Sequence, residues 1–138
     1  MRITICGSVA FINEMNQAKA QLEKGGHTVY VPVSAERNQT KDFWEKMKAA
    51  DIRQFISIKT GRMRGHFDII KSSDAILVLN YDKDGKKNYI GPNTLMEMAV
   101  AFEHGKKIFI LNPLPDFAGE ELMAMSPVCL NGDPAGLS

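Results

Sequence analysis

The stretch Ala75–Asn80, AILVLN, is apolar at every position but the last. Such a run has no polar face to turn to water. It reads as a central strand of a parallel sheet covered on both sides. A sheet of that kind needs helices above and below it, and the rest of the chain supplies the pattern. Strand-like runs recur at Ile3–Cys6, His27–Pro32 and Lys107–Leu111, with a short edge candidate at Val128–Leu130. Between them the apolar spacing turns helical. Phe11–Lys24 carries Met15, Ala18 and Leu22 on one face. Thr40 to about Ile58 offers Phe43, Met47, Ala50 and Phe55 as core positions. A break at Gly61 precedes a shorter helix over Met63–Ser72. Asn93–His104 is followed by Gly105, and Glu120–Met125 makes a last turn or two. The order βαβαβαβ predicts a three-layer α/β sandwich, flavodoxin-like or Rossmann-like, with a mainly parallel sheet of about five strands. The expected organisation is one domain over residues 1–131 and a loose tail over 132–138.

A chain of 138 residues can bury a core without disulfides or a structural metal. No apolar run approaches the roughly 18 residues of a membrane span. The opening MRITICGSV turns polar too early for a secretory signal, so a cytoplasmic protein is expected. Lys and Arg number 17 against 16 Asp and Glu. That balance gives no electrostatic basis for binding a nucleic-acid polymer or an anionic membrane. It also lowers the charge barrier to self-association. Cys6 and Cys129 have neither zinc-site spacing nor a CxxC arrangement, and Cys6 reads as a small buried hydrophobe. No cofactor and no metal are expected.

Open parallel sheets bind ligands beyond the carboxyl ends of their strands. Four segments there, or leading there, can carry chemistry. Gly7 and Ser8 close the first strand and open a helix, with Ser8 a candidate N-cap. Their N–H groups can meet an anion, or make an ordinary turn. Phe11 just beyond is a core residue or a base-stacking ring. The second segment is Tyr89–Glu97, YIGPNTLME, where Asn93 reads as the N-cap and Glu97 falls near the first turn. Glu97 is either a helix-stabilising acid or an ionised nucleophile. The third is His66-Phe67-Asp68 with Asp74 beyond it. Asp68 could face the same cleft as Glu97, as two carboxylates do across a glycosidic bond. His66 reads as a surface or capping residue, and Asp74 as a turn residue. The fourth is basic: Arg62 and Arg64, with Lys83, Lys86 and Lys87. Arg64 is a candidate phosphate ligand, with an ion pair as the alternative.

Taken together, these motifs resemble a known family. They are a first strand ending in Gly7-Ser8, the second-strand pattern Gly26-His27-x-Val29-x-x-Pro32, the run from Asp68 through Ser73-Asp74-Ala75 to Leu79, and Gly91-x-Asn93-Thr94-x-x-Glu97-x-x-x-Ala101. Their order is similar to that in the nucleoside 2-deoxyribosyltransferase superfamily, which includes the deoxynucleoside 5′-monophosphate N-glycosidases. The resemblance runs from Arg2 to about Leu111. It implies a flavodoxin-like fold, a homodimer or larger assembly, and a small nucleoside or nucleotide substrate. It implies Glu97 as the carboxylate that attacks the anomeric carbon and Asp68 as the acid at the base. It implies Gly7 and Ser8 as the first loop that frames the site. Phe11, Asn93 and Arg64 are candidate substrate contacts from their own positions and not from the resemblance, as is Tyr89, which with Tyr81 is a candidate replacement for the family's first-loop tyrosine. The transferases carry a tyrosine in the first loop, where this chain has Val9, Ala10 or Phe11, and an acidic residue shortly before the nucleophile, where it has none. The glycine- and arginine-bearing first loop of the monophosphate hydrolases is missing too.

Two other readings stand beside this one. The skeleton Gly91-x-x-Thr94-x-x-Glu97 also resembles the lysine decarboxylase-like phosphoribohydrolases, without their double glycine. A non-catalytic nucleotide-binding or sensing module, or a pure interaction domain, can use the same fold.

Overall fold

The computed structural model describes residues 1–137. Five parallel strands form one sheet: β1 (Arg2–Gly7), β2 (Thr28–Tyr30), β3 (Ala75–Leu79), β4 (Lys107–Ile110) and β5 (Val128–Cys129), in the order β2-β1-β3-β4-β5. That is the flavodoxin-like order, whose switch point lies between β1 and β3. Register pairs Ile3 with Ala75 and Gly7 with Leu79.

Alternation along the strands sends side chains to two separate cores. Ile3, Ile5, Leu77 and Leu79 pack under α1 (Ile12–Lys24), which contributes Met15, Ala18 and Leu22, with Ala35 of the short α2 (Val33–Glu36) beside them. Cys6, Ile76, Val78 and Ile110 face the other way. They meet Ile70, Met98, Ala101 and Leu122. These come from α4 (Ile52–Lys71), α5 (Pro92–Glu103) and α6 (Gly119–Ala124). β3 is buried along its whole length, as the apolar run requires.

Three expectations are corrected. The break expected at Gly61 does not occur. Gly61 and Gly65 lie inside one 20-residue helix, α4. The break falls at Asp51, between α4 and α3 (Lys41–Ala50), because the Asp51 carboxylate accepts from Arg53 N and Gln54 N and caps α4. A glycine inside a helix costs only about 1 kcal/mol, less than a well-anchored helix can absorb. Phe43, Met47, Ala50 and Phe55 are not core: α3 buries no residue and stands away from the sheet, against α4. The segment after residue 131 is not loose. Asp133 caps a turn over Pro134–Gly136, and Leu137 enters the α1-side core at 3% exposure; Ser138 lies outside the described residues.

Candidate active site

A cavity of about 300 Å³ opens beyond the carboxyl ends of β1 and β2. Gly7 forms its floor. A Cβ there would lie 3.2 Å from the Leu79 carbonyl oxygen and 3.1 Å from the Met15 methyl, so the close β1–β3 approach favours glycine. Residues Pro32–Ala35 form one wall. Helices α3 and α4 form the outer wall, and Asn93 and Glu97 of α5 close the back.

Three buried side chains from three elements converge here, His66 of α4 and Glu97 of α5 lining the cavity and Cys6 of β1 behind them. His66 Nε2 lies 3.6 Å from Glu97 Oε2, 3.8 Å from Cys6 Sγ and 3.2 Å from the Ile5 carbonyl oxygen. The close His66–Glu97 approach is no ion pair near neutral pH. Burial pushes the Glu97 carboxyl up to about 8, against smaller downward pulls from Cys6 and Lys59. Burial also drives His66 down to about 4, opposed by its bond to Ile5. The Cys6 thiol is raised well above its ordinary value, first by burial and then by Glu97. The N-cap of α5 is Gly91, with Pro92 in the first turn, rather than the expected Asn93. Glu97 therefore sits beyond the first turn, where the helix dipole has little hold, and desolvation decides its state. Asn93 Oδ1 is buried without a hydrogen-bond partner on the same wall. An orphaned acceptor beside a cavity is a group waiting for a donor.

The outer wall is aromatic and cationic. Trp44 meets Phe55 edge-on at 6.0 Å between ring centroids. Arg62 lies over the Trp44 ring at 5.2 Å and Lys59 at 5.7 Å. Arg62 donates to Ser34 Oγ (3.3 Å) and Gln39 Oε1 (2.7 Å), both neutral, and the Trp44 indole donates to Ser34 Oγ (3.2 Å). Lys41 pairs with Glu45. Among the described residues, Lys48, Lys59 and Arg62 have no carboxylate partner. Three uncompensated cations on one wall favour an anionic occupant.

Of the residues singled out from sequence, Gly7, Arg62, His66, Asn93 and Glu97 line this cavity, and His66, expected at the surface or as a cap, is instead buried against β1. Ser8 flanks it, caps a short 3₁₀ turn over Val9–Phe11 and not the long helix, which starts at Ile12 behind Phe11, and receives a hydrogen bond from Lys83 Nζ at 3.2 Å. Phe11 is a core residue, edge-on to Tyr81 at 5.3 Å, and not a base-stacking ring. Tyr89 lines a second, open depression under Lys83 and Lys86. Asp68 is exposed and lies 3.9 Å from Lys71, and Arg64 is also exposed. Neither Asp68 nor Arg64 lines the cavity. Two residues turn a helix by about 200°, so a helix that aims His66 and Arg62 inward aims Asp68 and Arg64 outward. His66, Arg62, Lys59, Phe55 and Trp44 are the wall residues that the sequence reading did not place there. On α4 they follow the spacing 55, 59, 62, 66, a single helical stripe. A false break at Gly61 hides that stripe.

No protein-family model matches the chain, and no curated protein is significantly similar to it. The chain is similar in structure to the CMP N-glycosidase BcmB of Clostridium botulinum. The TM-score is 0.55 at 15% identity, over 99% of this chain and 94% of that one. The two share a fold. A 2-deoxyribosyltransferase from Bacillus psychrosaccharolyticus overlaps less well, with a TM-score of 0.46 at 18% identity over 82% of this chain and 73% of that one.

Proposed function

We propose that the chain is an enzyme of the nucleoside 2-deoxyribosyltransferase-like class that cleaves the N-glycosidic bond of a nucleoside 5′-monophosphate, with Glu97 as nucleophile. The observation that carries this is the cavity itself: one buried carboxylate at the back and three unpaired cations on the outer wall. A CMP N-glycosidase with the same fold supports the substrate class.

In this reading Arg62, Lys59 and Lys48 take the phosphate, and Asn93 Oδ1 accepts from the sugar or base. The ionised Glu97 carboxylate attacks C1′. The C1′–N bond breaks, its electron pair leaves with the base, and the base takes a proton from solvent water. Water then hydrolyses the glycosyl ester, freeing sugar phosphate and regenerating Glu97. With a second base as acceptor the same ester supports transfer. Positive charge on the sugar grows toward the transition state, and a carboxylate in a cavity of low dielectric stabilises it more than water would.

Incubation with ribo- and deoxynucleosides and their 5′-monophosphates, followed by chromatography of free base, tests the reading. Monophosphates are expected to release base and free nucleosides to release far less. Arg62→Met should raise KM for monophosphates about tenfold to a hundredfold, the size of a hydrogen bond to a charged group, and leave nucleosides unaffected. If no substrate releases base while monophosphates raise the melting temperature, the chain is a binding module instead. That second reading draws on one observation: Asp68, the expected acid, faces away from the cavity.

A further inference from the structure

The Cys6–His66–Glu97 cluster contains more donor chemistry than a nucleophile requires. A glycosidase needs the carboxylate. It does not need a thiol and an imidazole crowded against it. Their ligand atoms all lie within 4.8 Å of one another, and all three residues are buried. A thiolate and an imidazole or carboxylate on a tetrahedral zinc ion, at bond lengths of about 2.3 and 2.0–2.1 Å, stand roughly 3.3–3.6 Å apart. The separations here are 3.8 Å for Sγ to Nε2 and 3.6 Å for Nε2 to Oε2, within a few tenths of an ångström of that geometry.

We propose that Cys6, His66 and Glu97 form a three-ligand site for a thiophilic divalent cation of the Zn²⁺ type, and that its occupancy silences Glu97. Charge favours the assignment. One thiolate, one carboxylate and one neutral imidazole cancel a 2+ ion, so the occupied site is neutral in a place where a net charge would be expensive. Donor type favours it too: sulfur and nitrogen exclude Ca²⁺ and Mg²⁺ as natural occupants. His66 and Glu97 line the cavity, so the fourth position opens toward water or a phosphate oxygen. Binding displaces the Cys6 proton, and that of Glu97 when it carries one, to solvent. His66 gives up its Nε2–H bond to the Ile5 carbonyl, and its single ring proton moves by way of solvent from Nε2 to Nδ1, which frees the Nε2 lone pair for the ion. No electrons move. The site itself stands independently of the glycosidase reading; only the silencing of Glu97 rests on it.

Cobalt is the probe. Chelator-treated protein titrated with Co²⁺ should show, at one equivalent, a thiolate-to-cobalt charge-transfer band and the intense visible bands of a four-coordinate ion. Zn²⁺ should displace it. The charge-transfer band should vanish in Cys6→Ser and persist in Cys129→Ser, with Cys129 the other thiol in the chain. His66→Ala should weaken cobalt binding at least about tenfold, the scale at which even an outer partner of a metal ligand acts. No band at stoichiometric Co²⁺, or a band that survives in Cys6→Ser, overturns the site. Should Cys6→Ser fail to fold, loss of the band in Cys129→Ser, or unweakened binding in His66→Ala, overturns it as well. One equivalent of Zn²⁺ should also stop base release, with chelator restoring it. A cobalt band without zinc inhibition overturns the silencing and leaves the site. A cobalt band in a protein that releases no base from any substrate overturns the glycosidase reading instead.

Discussion

At the residue scale, Glu97 and His66 push stability in opposite directions as pH changes. Glu97 titrates at about 8 in the folded chain against an ordinary 4.5. Between those values the folded state holds a proton that the unfolded chain has lost, so stability falls as pH rises. His66 titrates at about 4 against an ordinary 6.5. Between those values the unfolded chain holds the extra proton, so stability rises with pH. From 4.5 to 6.5 the two slopes cancel. From 6.5 to 8 only Glu97 acts, and stability should fall by about 2 kcal/mol at roughly 1.4 kcal/mol per pH unit. Urea denaturation of chelator-treated protein across that range checks it. Glu97→Gln should flatten the decline, and an unchanged slope in that variant would contradict the assignment. Over the same range kcat/KM should climb and level off above about pH 8, because only the ionised carboxylate attacks.

At the element scale, α4 makes the site. It carries Phe55, Lys59, Arg62 and His66 on one stripe while its first turn is fixed by Asp51. Its two interior glycines have no close-packing role, since a Cβ at Gly61 or Gly65 meets nothing within 4 Å. Gly61→Ala and Gly65→Ala should each stabilise the chain by about 0.5–1 kcal/mol, seen as a rise of a few degrees in melting temperature. A fall would mean that the helix needs those glycines for bending. Much of the fold was legible in sequence because strand signals are local. AILVLN announced β3, and Met15, Ala18 and Leu22 announced the buried face of α1. The outer wall was not legible. Its residues are exposed or half-buried on α3 and the first half of α4, which pack on each other, so the apolar spacing through Phe43, Met47 and Phe55 reads as core and the cations between them as solvent-facing. Glu97 was legible through its motif, whereas its companions Cys6 and His66 lie 91 and 31 positions away and only the fold brings them together.

At the scale of the whole molecule, the end of the described chain completes the core that its start begins. Leu137 packs with Ile3, Ile5 and Leu22. Leu137→Ala should therefore cost about 2 kcal/mol or more, the usual range for a buried leucine, and calorimetry would register a lower midpoint. A loose tail would give no change. No helix among the described residues is long and apolar enough to cross a membrane. The sheet brings Gly7, Asn93 and Glu97 to one cavity, and the α3–α4 pair adds Lys48, Lys59 and Arg62 to its lining.

The central claim is that the Glu97 carboxylate performs the chemistry. Base release from a nucleoside 5′-monophosphate under single-turnover conditions, compared between the native chain and Glu97→Gln, tests it most directly. Glu97→Gln should lose about 10³-fold or more in rate with ligand-induced thermal stabilisation retained. Base release at the native rate from a folded Glu97→Gln protein would contradict it.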